Sequence, residues 1–226
     1  MASILKRLKW KFFNKAKTTK DVFVKIHELN SWGSGKSVSG PGSEPEHIEK
    51  LIKELPVIFS KYSIQSILDA PCGDYIWMQK VDKRNVQYTG GDIVSNLVKE
   101  NNRKYKTGNV SFIEIDLIND NLPVVDMIFV RDCFIHFSNS DLKKALKNIV
   151  LSGCKYLFTT SYIDSATTDD IQTGQWRRLN LLKPPFSLPT PDLTFMEEST
   201  EQNNRFPDKA MLLWDTKRLK TIVADF

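Results

Sequence analysis

An α/β fold is what this sequence predicts: one doubly wound domain with a mostly parallel sheet, helices on both faces, an antiparallel C-terminal edge and an N-terminal helical extension. Three observations carry the prediction. The run Ile64 to Leu68 ends in the acid Asp69 and passes into a tight turn containing Gly73. That order reads as a buried strand, a loop and a helix start, the helix beginning near Tyr75. Val86 to Asp92 and Phe112 to Asp116 repeat the pattern of an apolar strand closed by an acid. Segments with helical spacing lie among these runs, and such alternation builds a parallel sheet.

The bulk figures agree with this architecture. A length of 226 residues suits one domain with a large core, and 41% hydrophobic with 26% charged residues is ordinary for a globular protein. No apolar run reaches the roughly 18 residues that span a bilayer. The odd number of cysteines, Cys72, Cys133 and Cys154, points to reduced thiols and a cytoplasmic protein. No Cys/His cluster has zinc-ligand spacing, so no metal is expected.

The chain divides into residues 1–45, a basic N-terminal helix with a Gly/Ser-rich lid, and residues 46–226, the domain proper. Residues 1–20 carry seven Lys or Arg and no acid, interleaved with Ile4, Leu5, Leu8, Trp10, Phe12 and Phe13. Such a segment either lies on an anionic membrane or packs its aromatic face on the domain. Without it the chain is near neutral, which speaks against a nucleic-acid-binding face. Asn30 to Ser43 is rich in glycine and serine. Gly35-Lys36-Ser37 is no phosphate loop, because Asn30 stands where the first glycine belongs. The stretch reads as a lid bearing Trp32 and Ser39, or as a linker. Ser43 and Glu46 match a capping box before a helix containing Ile48, Leu51, Leu55 and Phe59.

Past the first strand, Asp92 lies 19 positions after Gly73, close to the roughly 20-residue gap at which an acid reaches a ribose hydroxyl. A helix follows from Ser95 to Lys104. Asp126 to Asp132 is the fourth strand, and Arg131, Asp132 and His136 fall at its C-terminal end, where the crevice of such sheets lies. His136 is either a base or a buried hydrogen-bonding residue. Ser138 caps a helix over Leu142 to Val150. Tyr156 to Tyr162 is the fifth strand. Trp176 then offers an apolar wall with Arg177 or Arg178 for anions, unless the ring merely packs and both arginines face water. Met211 to Trp214 and Ile222-Val223 supply two closing antiparallel strands.

Ile67-Leu68-Asp69-Ala70-Pro71-Cys72-Gly73 resembles motif I of class I S-adenosylmethionine-dependent methyltransferases. Pro71 and Tyr75 replace two of the three glycines usual there. With the acids of the next strands the resemblance covers roughly residues 64–162. It implies a Rossmann-like fold and S-adenosyl-L-methionine as cofactor, held along Asp69, Pro71, Cys72 and Gly73. It further implies Asp92 and Ile93 at the ribose, Asp116 and Leu117 at the adenine, and Arg131 beside them. The implied activity is methyl transfer to a small polar acceptor, a hydroxyl of a sugar or phosphorylated metabolite of the kind met in surface-polysaccharide pathways. Trp32, Ser39, Tyr162, Trp176, Arg177 and Arg178 are the expected acceptor contacts. A hydroxyl needs a base, His136 or Asp132, with Asp132 orienting the imidazole from one turn away. A phosphate needs cations instead, from Arg131, Arg177 and Arg178. Two alternatives remain: an RNA methyltransferase using the basic arm, and a non-catalytic protein that binds S-adenosylmethionine.

Overall fold

The computed structural model describes residues 18–32, 35–166, 169–200 and 203–226. Most of the expected basic N-terminal helix, with its membrane contact, lies outside the described residues. Helix α1 covers Thr19–Glu28 and α2 covers Glu49–Lys61. Strand β1 (Ser66–Asp69), β2 (Gln87–Asp92), α3 (Ser95–Tyr105), β3 (Val110–Glu114), β4 (Met127–Val130), α4 (Asn139–Leu151) and β5 (Tyr156–Tyr162) follow. The chain closes with β6 (Leu193–Met196), β7 (Lys209–Asp215) and a short α5 (Lys220–Ala224).

The seven strands stand in the order β3-β2-β1-β4-β5-β7-β6. The first five are parallel, β7 runs antiparallel to β5, and β6 antiparallel to β7. The expected doubly wound sheet with an antiparallel C-terminal edge is what forms. Its centre is buried on both faces: every residue of β4, Met-Ile-Phe-Val, is inaccessible, the continuous apolar run that a covered parallel strand requires. On one face Leu51, Leu55, Ile58 and Phe59 of α2 pack with Trp77 and Met78. On the other, Leu142, Ala145, Leu146 and Ile149 of α4 pack with Leu179, Leu181 and Phe186. Both helices owe this to apolar residues three and four apart. The order of strands reverses direction at β1 and β4, so a crevice opens at their carboxyl ends. Among the described residues no helix is long and apolar enough to cross a membrane.

Four local expectations fail. No α-helix follows β1; residues 70–86 run as turns with one 3-10 turn at Met78–Lys80. Tyr75 sits at φ +62°, which stops a right-handed helix, and its ring packs on Tyr88, Tyr105 and Phe112. Aromatic side chains thus fill the layer that a helix was expected to occupy. The Ser43–Glu46 capping box does not form, since Pro45 drives Glu44 into an extended conformation and opens a separate 3-10 turn. The helix starts later, at Glu49. Strand β3 ends at Glu114, two residues short of Asp116. Ile222 and Val223 belong to α5, and the second antiparallel strand is instead Leu193–Met196. Asp215 turns the chain after β7 by accepting the Lys217 N–H at 2.9 Å.

Candidate functional site

A cavity of about 510 Å³ lies at the carboxyl ends of β1, β2 and β4, within the usual range for small-molecule sites. Asp69, Pro71, Cys72, Gly73, Asp92, Ile93, Asp116, Leu117 and Arg131, the nine residues expected around a cofactor, all border it. Asp69 ends β1 fully buried and accepts the Tyr88 hydroxyl at 2.6 Å. Burial pushes its carboxyl up to about 7, against the pull of that bond and of Lys83 and Arg131. Asp92 ends β2. One of its oxygens accepts the Gly73 N–H at 3.1 Å and the other the Val94 N–H at 3.0 Å. Burial still raises Asp92 to about 6. The Val94, Gly73 and Ile93 N–H groups all favour the carboxylate, and burial outweighs them. Asp116 is engaged within the protein: its oxygens take the Ile118 N–H and the Asn119 amide, each at 2.8 Å.

Residues 37–39 of the glycine-rich stretch are docked on this loop, and the clamp is Asp74, a residue not singled out from the sequence. One Asp74 oxygen accepts the Ser37 hydroxyl at 2.7 Å and the Val38 N–H at 3.0 Å, while the Asp74 N–H donates to Ser39 Oγ at 3.2 Å. Gly73, at φ +56°, makes the approach possible, since a Cβ there would stand 2.0 Å from Ser39 Oγ. Residues 38–43 and Trp32 border the cavity, as does a face of α1.

Four charged side chains meet at the other end, beyond β4. Arg131 donates through Nε and Nη2 to the two oxygens of Glu197 at 3.0 and 2.8 Å and lies 3.3 Å from Asp132. Lys209 Nζ stands 2.7 Å from Asp132 and 3.5 Å from Glu197. Burial alone would raise the Asp132 carboxyl, but Lys209 and Arg131 hold it well below the usual range. Asp132 is therefore a poor base, and it does not orient His136. It sits at φ +53°, outside any helical turn, with its carboxylate on Lys209. The imidazole is set instead by a backbone carbonyl: His136 Nδ1 donates to Gln175 O at 2.9 Å. Since a carbonyl only accepts, Nε2 keeps its lone pair. Burial lowers the imidazole below its ordinary value, so the ring is neutral at neutral pH. His136 borders the cavity, its ring 5.2 Å from that of Trp32.

Tyr162 and Trp176 border the cavity with Phe206, their rings 5.4 to 6.2 Å apart. Arg177 and Arg178 do not. Arg177 is buried and spends its guanidinium on Asn139, the Asp169 carbonyl and the Phe137 carbonyl, tying the loop to α4. Arg178 pairs with Asp208 at 2.5 Å. The cations expected for an anionic acceptor are thus committed to protein partners. Glu197, Lys209 and Phe206 escaped the sequence reading because no spacing or motif links them to the residues after β4. Only the burial of Glu197 and Lys209 as charged groups, and the packing of Phe206 on Tyr162 and Trp176, mark them out.

Comparison with known proteins agrees with this geometry. Residues 67–151 match the family model described as a methyltransferase domain. No curated protein sequence matches the chain. The fold is similar to magnesium protoporphyrin IX methyltransferase from Synechocystis PCC 6803 with bound S-adenosylmethionine, at TM-score 0.58 and 15% identity, covering 88% of this chain and 97% of that one. It is also similar to human N-acetylserotonin methyltransferase in complex with S-adenosylmethionine, at TM-score 0.55 and 11% identity. That match covers 88% of this chain, which spans 56% of the human enzyme. A third likeness, at TM-score 0.50 and 17% identity over 73% of this chain and 68% of the other, is to the [4+2]-cyclase SpnF.

Proposed function

We propose that this chain, a class I S-adenosylmethionine-dependent methyltransferase, methylates a hydroxyl of a small, uncharged polar acceptor such as a sugar unit. The carrying observation is His136, a neutral imidazole with one nitrogen anchored on a carbonyl and the other left basic, beside an aromatic wall. The buried acids suit the cofactor. Asp69 and Asp92, both raised by burial, call for a ligand rich in hydroxyl, amino and cationic groups, as S-adenosylmethionine is. When bound, it supplies an electrophilic methyl carbon. Asp92 would hold the ribose and Asp116 the adenine, with residues 37–43 keeping water from the site. His136 Nε2 takes the acceptor's proton, while Trp176 and Phe206 hold the acceptor ring. A phosphorylated acceptor finds less support, because Arg131, Arg177 and Arg178 are paired within the protein. Residues 18–45 act as the cover of a catalytic unit formed by residues 46–226, working in the cytoplasm.

Methyl transfer to free sugars, nucleotide sugars and sugar phosphates, followed with labelled S-adenosylmethionine, tests the reading directly. Label should enter uncharged hydroxyl-bearing rings. Turnover confined to amines, phosphate oxygens or RNA would overturn it. This direct assay matters because the same fold serves a protein described as a cyclase.

The cofactor half is tested separately by calorimetric titration with S-adenosylhomocysteine. Asp92→Ala removes a charge-assisted contact to the ribose and should weaken binding about ten- to a hundredfold. Unchanged affinity would remove Asp92 from the site.

A further inference from the structure

The helix α1 lies across the cavity, and nothing in its sequence marked it as part of a site. Thr19, Phe23, Ile26 and His27 border the cavity together. Their spacing of four, three and one places them on one helical face. The helix is held at several points. Thr18 caps it, and Lys20 pairs with Glu114, the register partner of Asp92 across β2 and β3. Phe23 packs 6.0 Å from Phe137. Gly174 lets the helix sit close, since a Cβ there would meet Val22 at 2.5 Å. The face turned to the cavity is apolar except at Thr19 and His27.

His27 is half-buried, and among the described residues its imidazole makes no hydrogen bond. It borders the same cavity as Asp92. Asp92 can only accept hydrogen bonds once ionised, whereas an imidazole N–H donates. A vicinal diol between them would satisfy both, giving its protons to Asp92 and accepting from His27.

From this placement we propose that His27 is a positioning residue for the cofactor, gripping the nucleoside diol from α1 while Asp92 holds it from β2. The proposal rests on S-adenosylmethionine occupying this cavity. It makes α1 a working wall of the site rather than an appendage, and it makes the vicinal diol the feature both walls read.

The test uses the full chain, S-adenosylhomocysteine and its 2′-deoxy and 3′-deoxy analogues, with affinity read by calorimetry. His27→Ala, at a half-buried position late in a helix where alanine is well tolerated, should weaken S-adenosylhomocysteine about tenfold. His27→Gln, which keeps an N–H donor, should restore part of the loss. The decisive reading is coupling between residue and hydroxyl. In the parent, removing the hydroxyl that His27 contacts should cost affinity; in His27→Ala the same removal should cost much less. A merely structural role would weaken all three ligands by one common factor, and that result overturns the proposal. So does binding within twofold of the parent while Asp92→Ala is impaired. A parent that fails to bind S-adenosylhomocysteine at all would instead sink the cofactor reading on which this one rests.

Discussion

Glu197→Ala should destabilise the protein by about 3–5 kcal/mol, the cost of removing one partner from a buried ion pair. Glu197 is wholly inaccessible and takes both forks of Arg131, while Lys209 approaches it from the other side. Its removal takes away one of the two carboxylates, Glu197 and Asp132, that face these buried cations. The desolvation of Arg131 and Lys209, met in the parent by two carboxylates, is then half uncompensated. Urea unfolding of parent and variant measures this directly, with the slope expected to stay constant. Glu197→Gln keeps the volume and one acceptor oxygen and should cost less. A loss below about 1 kcal/mol for Glu197→Ala would show that water reaches this cluster and that the buried network does not hold the floor of the cavity together. The network also joins β4 to β7 and the segment after β6, so the destabilisation should extend to the antiparallel edge.

His136→Ala should lower the methyl-transfer rate by roughly 10²–10⁴ while leaving S-adenosylhomocysteine affinity near that of the parent. The size follows from the value of one positioned general base, and the split follows from its place beyond β4, outside the nine residues expected around the cofactor. The pH profile is a second check. Burial lowers the imidazole, and the base works in its neutral form. Turnover should therefore rise with pH through a midpoint below the ordinary histidine range and be level at neutral pH. In the variant that limb should vanish. A variant that folds, binds cofactor and turns over at the parent rate would make His136 a packing residue held by Gln175 and Trp32. Asp132 would not inherit the role, because Lys209 and Arg131 keep it ionised and weakly basic.

Much of this molecule was readable along the chain, for one reason: the parallel half of the sheet is built from local patterns. Apolar runs ending in Asp69, Asp92 and Val130, and the helical spacing of Leu142, Ala145, Leu146 and Ile149, need no knowledge of distant contacts to be read. The acids Asp69 and Asp92 reach one cavity because strand ends in such a sheet converge on its carboxyl edge. The sequence alone could therefore determine the fold class, the acids that border one cavity and the residues at the end of β4.

Tertiary structure decided what those residues do. Asp132 and His136, four apart, looked like a pair, yet a positive φ at Asp132 and Lys209, 77 positions away, separated them. Arg177 and Arg178 looked like anion contacts until Phe137 and Asp208 claimed them. The helix expected after β1 gave way to a turn at Tyr75, because the rings of Tyr88, Tyr105 and Phe112 supply an aromatic pocket that no local propensity encodes. Hydrogen bonds and ion pairs go to whichever partner the fold brings within about 3 Å. In this site, several of those partners lie more than thirty residues away along the chain.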